Sequence, residues 1–305
     1  MEIKGILVSA LAPFENHIAN GGEKLLGNAS SIKRRPDGKV YVSGQMQRHV
    51  LFSAIDRINE TASAKGETFV SNGDGISNLI EIDLRADMGG FMHPSKGDYS
   101  GRRTAPLSVT PAVAVKTSEV GRDLLVRIRM NEDDDAKEQA LATREFSESD
   151  LMHMNFFLDI SSLGISKAFK YEKSFNIGKK YFKHTSEPER LRRVTMFLEA
   201  SKSMNDYANQ ARNAVSGEPQ EVLIVFDTIL SRKASRYFTA EQKERQNILE
   251  ELNDRGAKFF IGDDKSDVSV AKAYKEALDF LSKCTLYDPS ANATPVTFAE
   301  AFGRE

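Results

Sequence analysis

Apolar residues run almost unbroken through IKGILVSAL, residues 3–11, which predicts a central strand covered on both faces and closed by Pro13. A loop rich in glycine and asparagine follows. KVYVS at 39–43 predicts a second, shorter strand. Ser43 then stands where a helix N-cap belongs, ahead of GQMQRHVLFSAIDRI, whose Met46, Val50, Ala54 and Ile58 recur at every fourth position.

From 60 to 150 the pattern turns irregular, with strand-like pieces at 79–85 (LIEIDLR), 108–115 (SVTPAVAV) and 124–129 (LLVRIR) between loops. GGFMHPSKGDYSGRR at 89–103 ends in paired arginines, and NEDDD at 131–135 predicts a solvated acidic loop. A buried strand resumes at 154–160. After it, residues 166–184 interleave six lysines (167, 170, 173, 179, 180 and 183) with Phe169, Tyr171, Phe175, Tyr181 and Phe182. A helix with Pro188 in its first turn places Leu191, Val194 and Leu198 on one face. The last third alternates clearly: strand 221–227, a capping box at Thr239 to Gln242 opening a helix that stops near Gly256, strand 257–262, then a helix carrying Val270, Tyr274, Ala277, Leu278 and Leu281. The succession lacks the regularity of a doubly wound sheet and predicts an α+β fold with helices on one face.

Composition narrows the function classes. The 305 residues are 40% hydrophobic with a formal charge of -2, so nucleic-acid binding would need local segregation of charge. One cysteine, Cys284, excludes an intramolecular disulfide framework and fits a reducing cytoplasm; it reads as a core residue on a helix. The opening segment has neither a membrane span nor a signal-peptide layout.

Residues 20–35, NGGEKLLGNASSIKRR, combine permissive glycines, amide side chains and three adjacent bases, chemistry suited to gripping phosphate. Gly27 is followed by Asn28, Ala29 and Ser30, not by the Lys-Ser/Thr of a nucleotide P-loop. The open N–H groups of the helix beginning at Ser43 lie beside Gln45 and Arg48 and suit an anion. The lysine and aromatic run fits two readings, a nucleic-acid surface or a hairpin with a solvated lysine face. Five scattered histidines lack metal spacing, and Asp83 with Asp87 would pair on a metal only if they shared a helix face, against the strand-like alternation around them. No catalytic group is assigned.

The opening strand with its basic loop, VYVSGQMQRHVLFSAI, DLRADMGGFM followed by GRRTAPLSVTPAVAV, FFLDIS, and RRVTMFLEASKSMNDYANQAR follow one another in an order that resembles the DevR-type backbone subunits of CRISPR type I effector complexes, the Cascade assemblies of the RAMP superfamily. The resemblance spans residues 2 to about 228. It implies a modified RNA-recognition-motif (ferredoxin-like) palm from 1–59, 106–165 and 186–305, a fingers insertion at about 60–105 and a thumb-like hairpin at about 166–185.

It further implies a cytoplasmic, non-catalytic protein without cofactor or membrane anchor. Such a protein coats CRISPR RNA in many copies, grips its phosphates, supports pairing with target DNA and meets other effector-complex subunits. The residues it assigns to RNA are Asn28, Ser30, Lys33, Arg34, Arg35, Ser43, Gln45, Arg48, Arg102, Arg103, Lys179 and Lys180. The glycine pair that family members often carry before Gln-Ala-Arg is replaced here by Asn205, Asp206 and Tyr207, which leaves Arg212 unassigned. Two alternatives stand beside it: a type III-like backbone that cleaves target RNA with Asp37 and a divalent metal, although Asp37 also reads as a Pro-Asp-Gly turn, and a type IV relative.

Overall fold

The computed structural model describes residues 1–25, 29–62, 65–72, 77–92, 99–100, 102–131, 134–211 and 213–303, with backbone only at 92, 99–100, 102, 127–131 and 134–140. In chain order the main elements are β1 (Gly5–His17), β2 (Ala29–Ser31), β3 (Tyr41–Val42), α1 (Gly44–Thr61), α2 (Leu84–Gly89), β4 (Arg102–Arg103), β5 (Leu107–Val109), β6 (Ala112–Ala114), β7 (Val120–Asn131), β8 (Asp134–Asp159), β9 (Ile165–Glu172), β10 (Phe175–Lys183), α3 (Glu187–Lys202), β11 (Glu221–Asp227), α4 (Gln242–Asp254), β12 (Lys258–Asp263), α5 (Val270–Leu281) and α6 (Phe298–Phe302).

The main sheet runs β12-β11-β1-β8-β6-β3, and β5 pairs with β8 beside β6. All of these neighbours are antiparallel. Strand, helix, pair of strands, helix, strand (β1, α1, β5/β6 with β8, α3, β11) is the ferredoxin-like succession, and the fold is α+β as the sequence predicts.

Helices cover both faces, not one. On the first face, Ile6, Val8, Met154, Phe156 and Ile224 pack with Val50, Leu51 and Phe52 of α1, Val194, Phe197 and Leu198 of α3, and Tyr274 and Ala277 of α5. On the other, Leu7, Leu11, Phe157, Leu223 and Val225 are sealed by Phe238, Ile248 and Leu252. The second layer bears out the reading of residues 3–11 as a strand covered on both faces, and it corrects the expectation of helices on one face: both residue sets of β1 are apolar and a strand alternates its faces.

Several boundaries differ from expectation for physical reasons. β1 continues past Pro13, which pairs with Leu151 of β8. Leu11 accepts from Gln220 N on the opposite side, so Pro13 turns its missing donor toward the edge beyond the end of β11. The 108–115 strand is broken at Pro111 into β5 and β6. The strand expected at 79–85 is replaced by a turn at 80–82 and the start of α2, because Asp83 accepts from Arg85 N and Ala86 N and caps a helix there. No capping box forms at Thr239: that residue ends a 3-10 turn, and Glu241 precedes α4 without a side-chain cap. Gly256 follows α4 in the left-handed region at φ 71, as predicted. Cys284 lies just past α5, half-buried, and donates to Phe280 O. β7 and β8 form a long hairpin whose distal part projects beyond the sheet. Among the described residues no helix is long and apolar enough to cross a membrane.

Candidate nucleic-acid interface

Asn20 braces the basic loop. Its Nδ2 donates to the carbonyls of Lys33 and Tyr41 at 3.1 and 3.2 Å, and its Oδ1 accepts from Gly22 N at 2.9 Å. Gly21 and Gly22 occupy the left-handed region (φ 74 and 69), and a Cβ on Gly22 would sit 2.9 Å from the Ser31 carbonyl oxygen. The glycine pair therefore makes a turn close to the returning strand. Ser30 of that strand is half-buried and lies between Lys24 and Arg144 in register. Asn28 lies outside the described residues.

Arg34 and Arg35 are exposed on the next turn, while Lys33 is half-buried. Arg34 reaches the buried Glu145 carboxylate at 3.8 Å, and Arg35 reaches exposed Asp37 at 3.9 Å, a loose surface pair that contributes little; both exposed guanidinium groups stay able to meet an anion. Asp37 holds this turn: its Oδ1 accepts from Lys39 N at 3.3 Å, and Gly38 N donates to Arg35 O. Tyr41 N donates to Lys33 O, which fixes the basic turn two residues ahead of the α1 cap.

Ser43 is that cap, its Oγ accepting from Met46 N at 3.2 Å. The first turn of an 18-residue helix then presents Gly44 and Gln45 N–H groups to a cleft of about 580 Å³, lined by Gly44, Gln45, Arg48, His49, Arg85, Leu107 and Val109. Gln45 is exposed. Arg48 donates to Gly89 O at 2.6 Å, and Arg85 donates to Ser71 O at 2.6 Å; both lean over the Phe52 ring, at 5.6 and 4.7 Å. Burial lowers the pKa of Arg48; burial, then the nearby Arg48 charge, lowers that of Arg85. Two partly desolvated cations beside a helix N-terminus gain from an anion between them. Sequence reasoning missed Arg85, because a strand at 79–85 hides that Asp83 caps α2 and turns Arg85 toward α1.

Arg103 corrects an expectation. It does not face nucleic acid: it is buried, ion-paired with Asp87, and bound to the carbonyls of Asp87 and Ile165. A guanidinium this deep needs a carboxylate beside it, and Asp87 supplies one. Arg102 is placed by its backbone alone, in β4, paired with Met92. Asp83 and Asp87 do share a helical segment, yet neither is available to a metal. Asp83 accepts from Ser77 and from the helix start, and Asp87 from Arg103 and Arg193. Arg212 lies outside the described residues.

Residues 166–184 form the β9–β10 hairpin, closed by Lys173 and Ser174 at φ 46 and 70, a two-residue turn whose twist suits the strands. Lys179 and Lys180 are exposed, and Lys180 lies 4.6 Å from the Phe182 ring. Lys183 differs from its neighbours, being buried between Glu187 and Asp288 at 2.6 and 2.8 Å. The far end exposes Tyr171, Ile177 and Phe175, the last at 75%. Such rings are available to stack on bases or to wedge between them. Among the described residues no three His, Cys, Asp or Glu side chains gather as a metal site.

The family described as CRISPR-associated negative auto-regulator DevR/Csa2 matches residues 12–215. A chain of a solved structure titled "CRISPR RNA-guided surveillance complex" superposes with a TM-score of 0.54 at 14% identity, covering 90% of this chain and 99% of its own. A chain of a second, titled "CRISPR RNA-guided surveillance complex, pre-nicking", gives 0.54 at 13% identity, covering 91% and 99%. No curated protein matches the sequence. With the matched segment spanning the last six residues of β1 and all of β2 to α3, the chain belongs to the CRISPR-associated DevR/Csa2 family.

Proposed function

We propose that this protein is the backbone subunit of a CRISPR RNA-guided surveillance complex, binding guide RNA through its phosphates without reading its sequence, and performing no chemistry of its own. Copies line up along one RNA, which pairs with target DNA while other subunits cap the assembly in the cytoplasm. The observation that carries the reading is the cleft at the start of α1, where open helix N–H groups, Arg48 and Arg85 converge beside the Lys33-Arg34-Arg35 turn. Donors of this kind bind phosphate irrespective of base. The sheet face on which an ordinary RNA-recognition motif stacks bases is here packed under α4 and Phe238, which favours backbone gripping over base reading.

The type III-like alternative would use Asp37 as a metal-dependent catalyst. The Asp37 side chain serves its own turn, which favours the structural role. A type IV relative would change the companions more than the physics. The test is affinity for single-stranded RNA against salt, where each neutralised phosphate contributes roughly 0.7 log units per decade. Replacing Lys33, Arg34 and Arg35 by Ala should flatten the slope. An unchanged slope contradicts the site, and metal-dependent RNA cleavage lost in Asp37→Ala contradicts the non-catalytic role.

A further inference from the structure

Gly89 closes α2 and Gly90 follows as its cap, yet the two positions call for glycine on different grounds. Gly90 lies in the left-handed region at φ 67, and a Cβ on it would stand 2.7 Å from Arg103 O and from Ala105 N, backbone that has nowhere to move. Gly89 keeps the right-handed helical backbone, where alanine is the better helix former. A Cβ here would overlap Arg48 Nη2 and lie 3.3 Å from Arg48 Cζ and 3.5 Å from Phe52 Cζ. Its three nearest neighbours are therefore side-chain atoms of α1, two of them from an arginine that lines the cleft.

Arg48 and Phe52 are four residues apart on α1 and share one face of it. Phe52 is fully buried, and the Arg48 guanidinium lies 5.6 Å from its ring centre while donating to Gly89 O at 2.6 Å. Arg85 leans on the same ring at 4.7 Å and donates to Ser71 O at 2.6 Å. Two cations sharing one ring repel each other, and each carbonyl holds one of them in place. Arg48 thus meets an anion already oriented, with little side-chain freedom left to lose. Any residue at 89 would supply the carbonyl. Only glycine leaves room for the guanidinium beside it.

We propose that Gly89 is a positioning residue of the RNA site, its missing side chain opening the space in which Arg48 is held against Phe52 and lines the cleft together with Arg85. This rests on the phosphate-gripping reading above and names the residue that sets the pose of the arginine. With a methyl group at 89 the α2 backbone stays as it is, the guanidinium is driven off the Gly89 carbonyl, and a phosphate in the cleft loses one ordered partner.

The test is a double-mutant cycle, read by fluorescence anisotropy on a single-stranded oligouridylate at fixed low salt, with thermal unfolding measured alongside. Gly89→Ala should weaken binding at least about tenfold and lower the salt slope by roughly 0.7 log units per decade, one phosphate contact, while Tm stays within about 3 °C of wild type. In an Arg48→Ala background the same substitution should change affinity by less than about twofold, because the group it displaces is gone. A smaller loss in the wild-type background, or an equal loss in both backgrounds, overturns the role of Gly89 and leaves the RNA reading intact. A Gly89→Ala chain that does not fold overturns it as well, because the methyl group then meets more than a movable side chain. Failure of the wild type to bind the oligouridylate overturns both.

Discussion

Arg193 of α3 and Asp87 of α2 form a fully buried ion pair, Nη1 to Oδ2 at 2.6 Å. Asp87 Oδ1 also accepts from Gly164 N at 2.8 Å and from Arg103, while Arg193 donates to the carbonyls of Ile80 and Glu81 at 2.9 and 2.7 Å. Burial alone would lower the Arg193 pKa, yet Asp87 and Glu189 outweigh it and the net shift is upward. One carboxylate thus ties α3 to α2, to β4 and to the root of the β9–β10 hairpin. Asp87→Ala leaves the buried Arg103 without its paired carboxylate and Arg193 with Glu189 alone, and should cost about 3–5 kcal/mol in urea unfolding. A loss below about 1 kcal/mol would show that the cluster relaxes without it.

Two histidines make stability depend on acid. Burial holds His184 and His153 at pKa about 4 in the folded chain, against 6.5. Above pH 6.5 both are neutral folded or unfolded, and neither contributes. Between 6.5 and 4 the unfolded chain takes up protons that the folded chain refuses, so stability falls as pH falls and levels off below about 4. His184, whose Nδ1 bonds Val296 O at 2.8 Å beside the paired rings of Phe298 and Phe302, should account for up to about 3 kcal/mol. His184→Gln should flatten the unfolding profile across that window; an identical slope in the variant would contradict the assignment.

At the α1 cleft, Arg85→Ala and Arg48→Ala should each weaken RNA binding by about 1.5–3 kcal/mol, the worth of a charge-assisted hydrogen bond to phosphate. Arg85→Ala is the sharper probe, because sequence reasoning never assigned that residue to RNA. Anisotropy titration at fixed salt reads the effect, and wild-type affinity in Arg85→Ala would remove it from the site.

Phe175 at the hairpin end separates contact from packing. Being largely exposed, Phe175→Ala should leave unfolding within about 0.5 kcal/mol of wild type. It should still lower affinity for a guide paired with target DNA, as should Lys179→Ala with Lys180→Ala. Unaltered binding in both variants would take the hairpin out of nucleic-acid contact.

Much of the fold was legible because its signals are local. The Ser43 cap, Pro188 in the first turn of α3, the apolar run of β11 and the stripe on α5 each depend on neighbours within a few residues. Long-range facts were not. Arg102 and Arg103 read alike as a surface pair in sequence, and only Asp87, sixteen residues upstream of Arg103, decides that Arg103 turns inward. The hairpin at 166–184 was visible as alternating lysines and rings, but the burial of Lys183 depends on Asp288, far along the chain. The basic turn and the cap were found together because Lys33 and Ser43 are close in sequence; Arg85 joins them only through folding.

The most direct test is electron microscopy of the purified protein with the nucleic acid that accompanies it. A scaffold that clasps phosphate should appear as a regular helical string with RNA running through it, dispersing as salt rises. A nucleic-acid-free monomer that ignores added single-stranded RNA at low ionic strength would contradict the account.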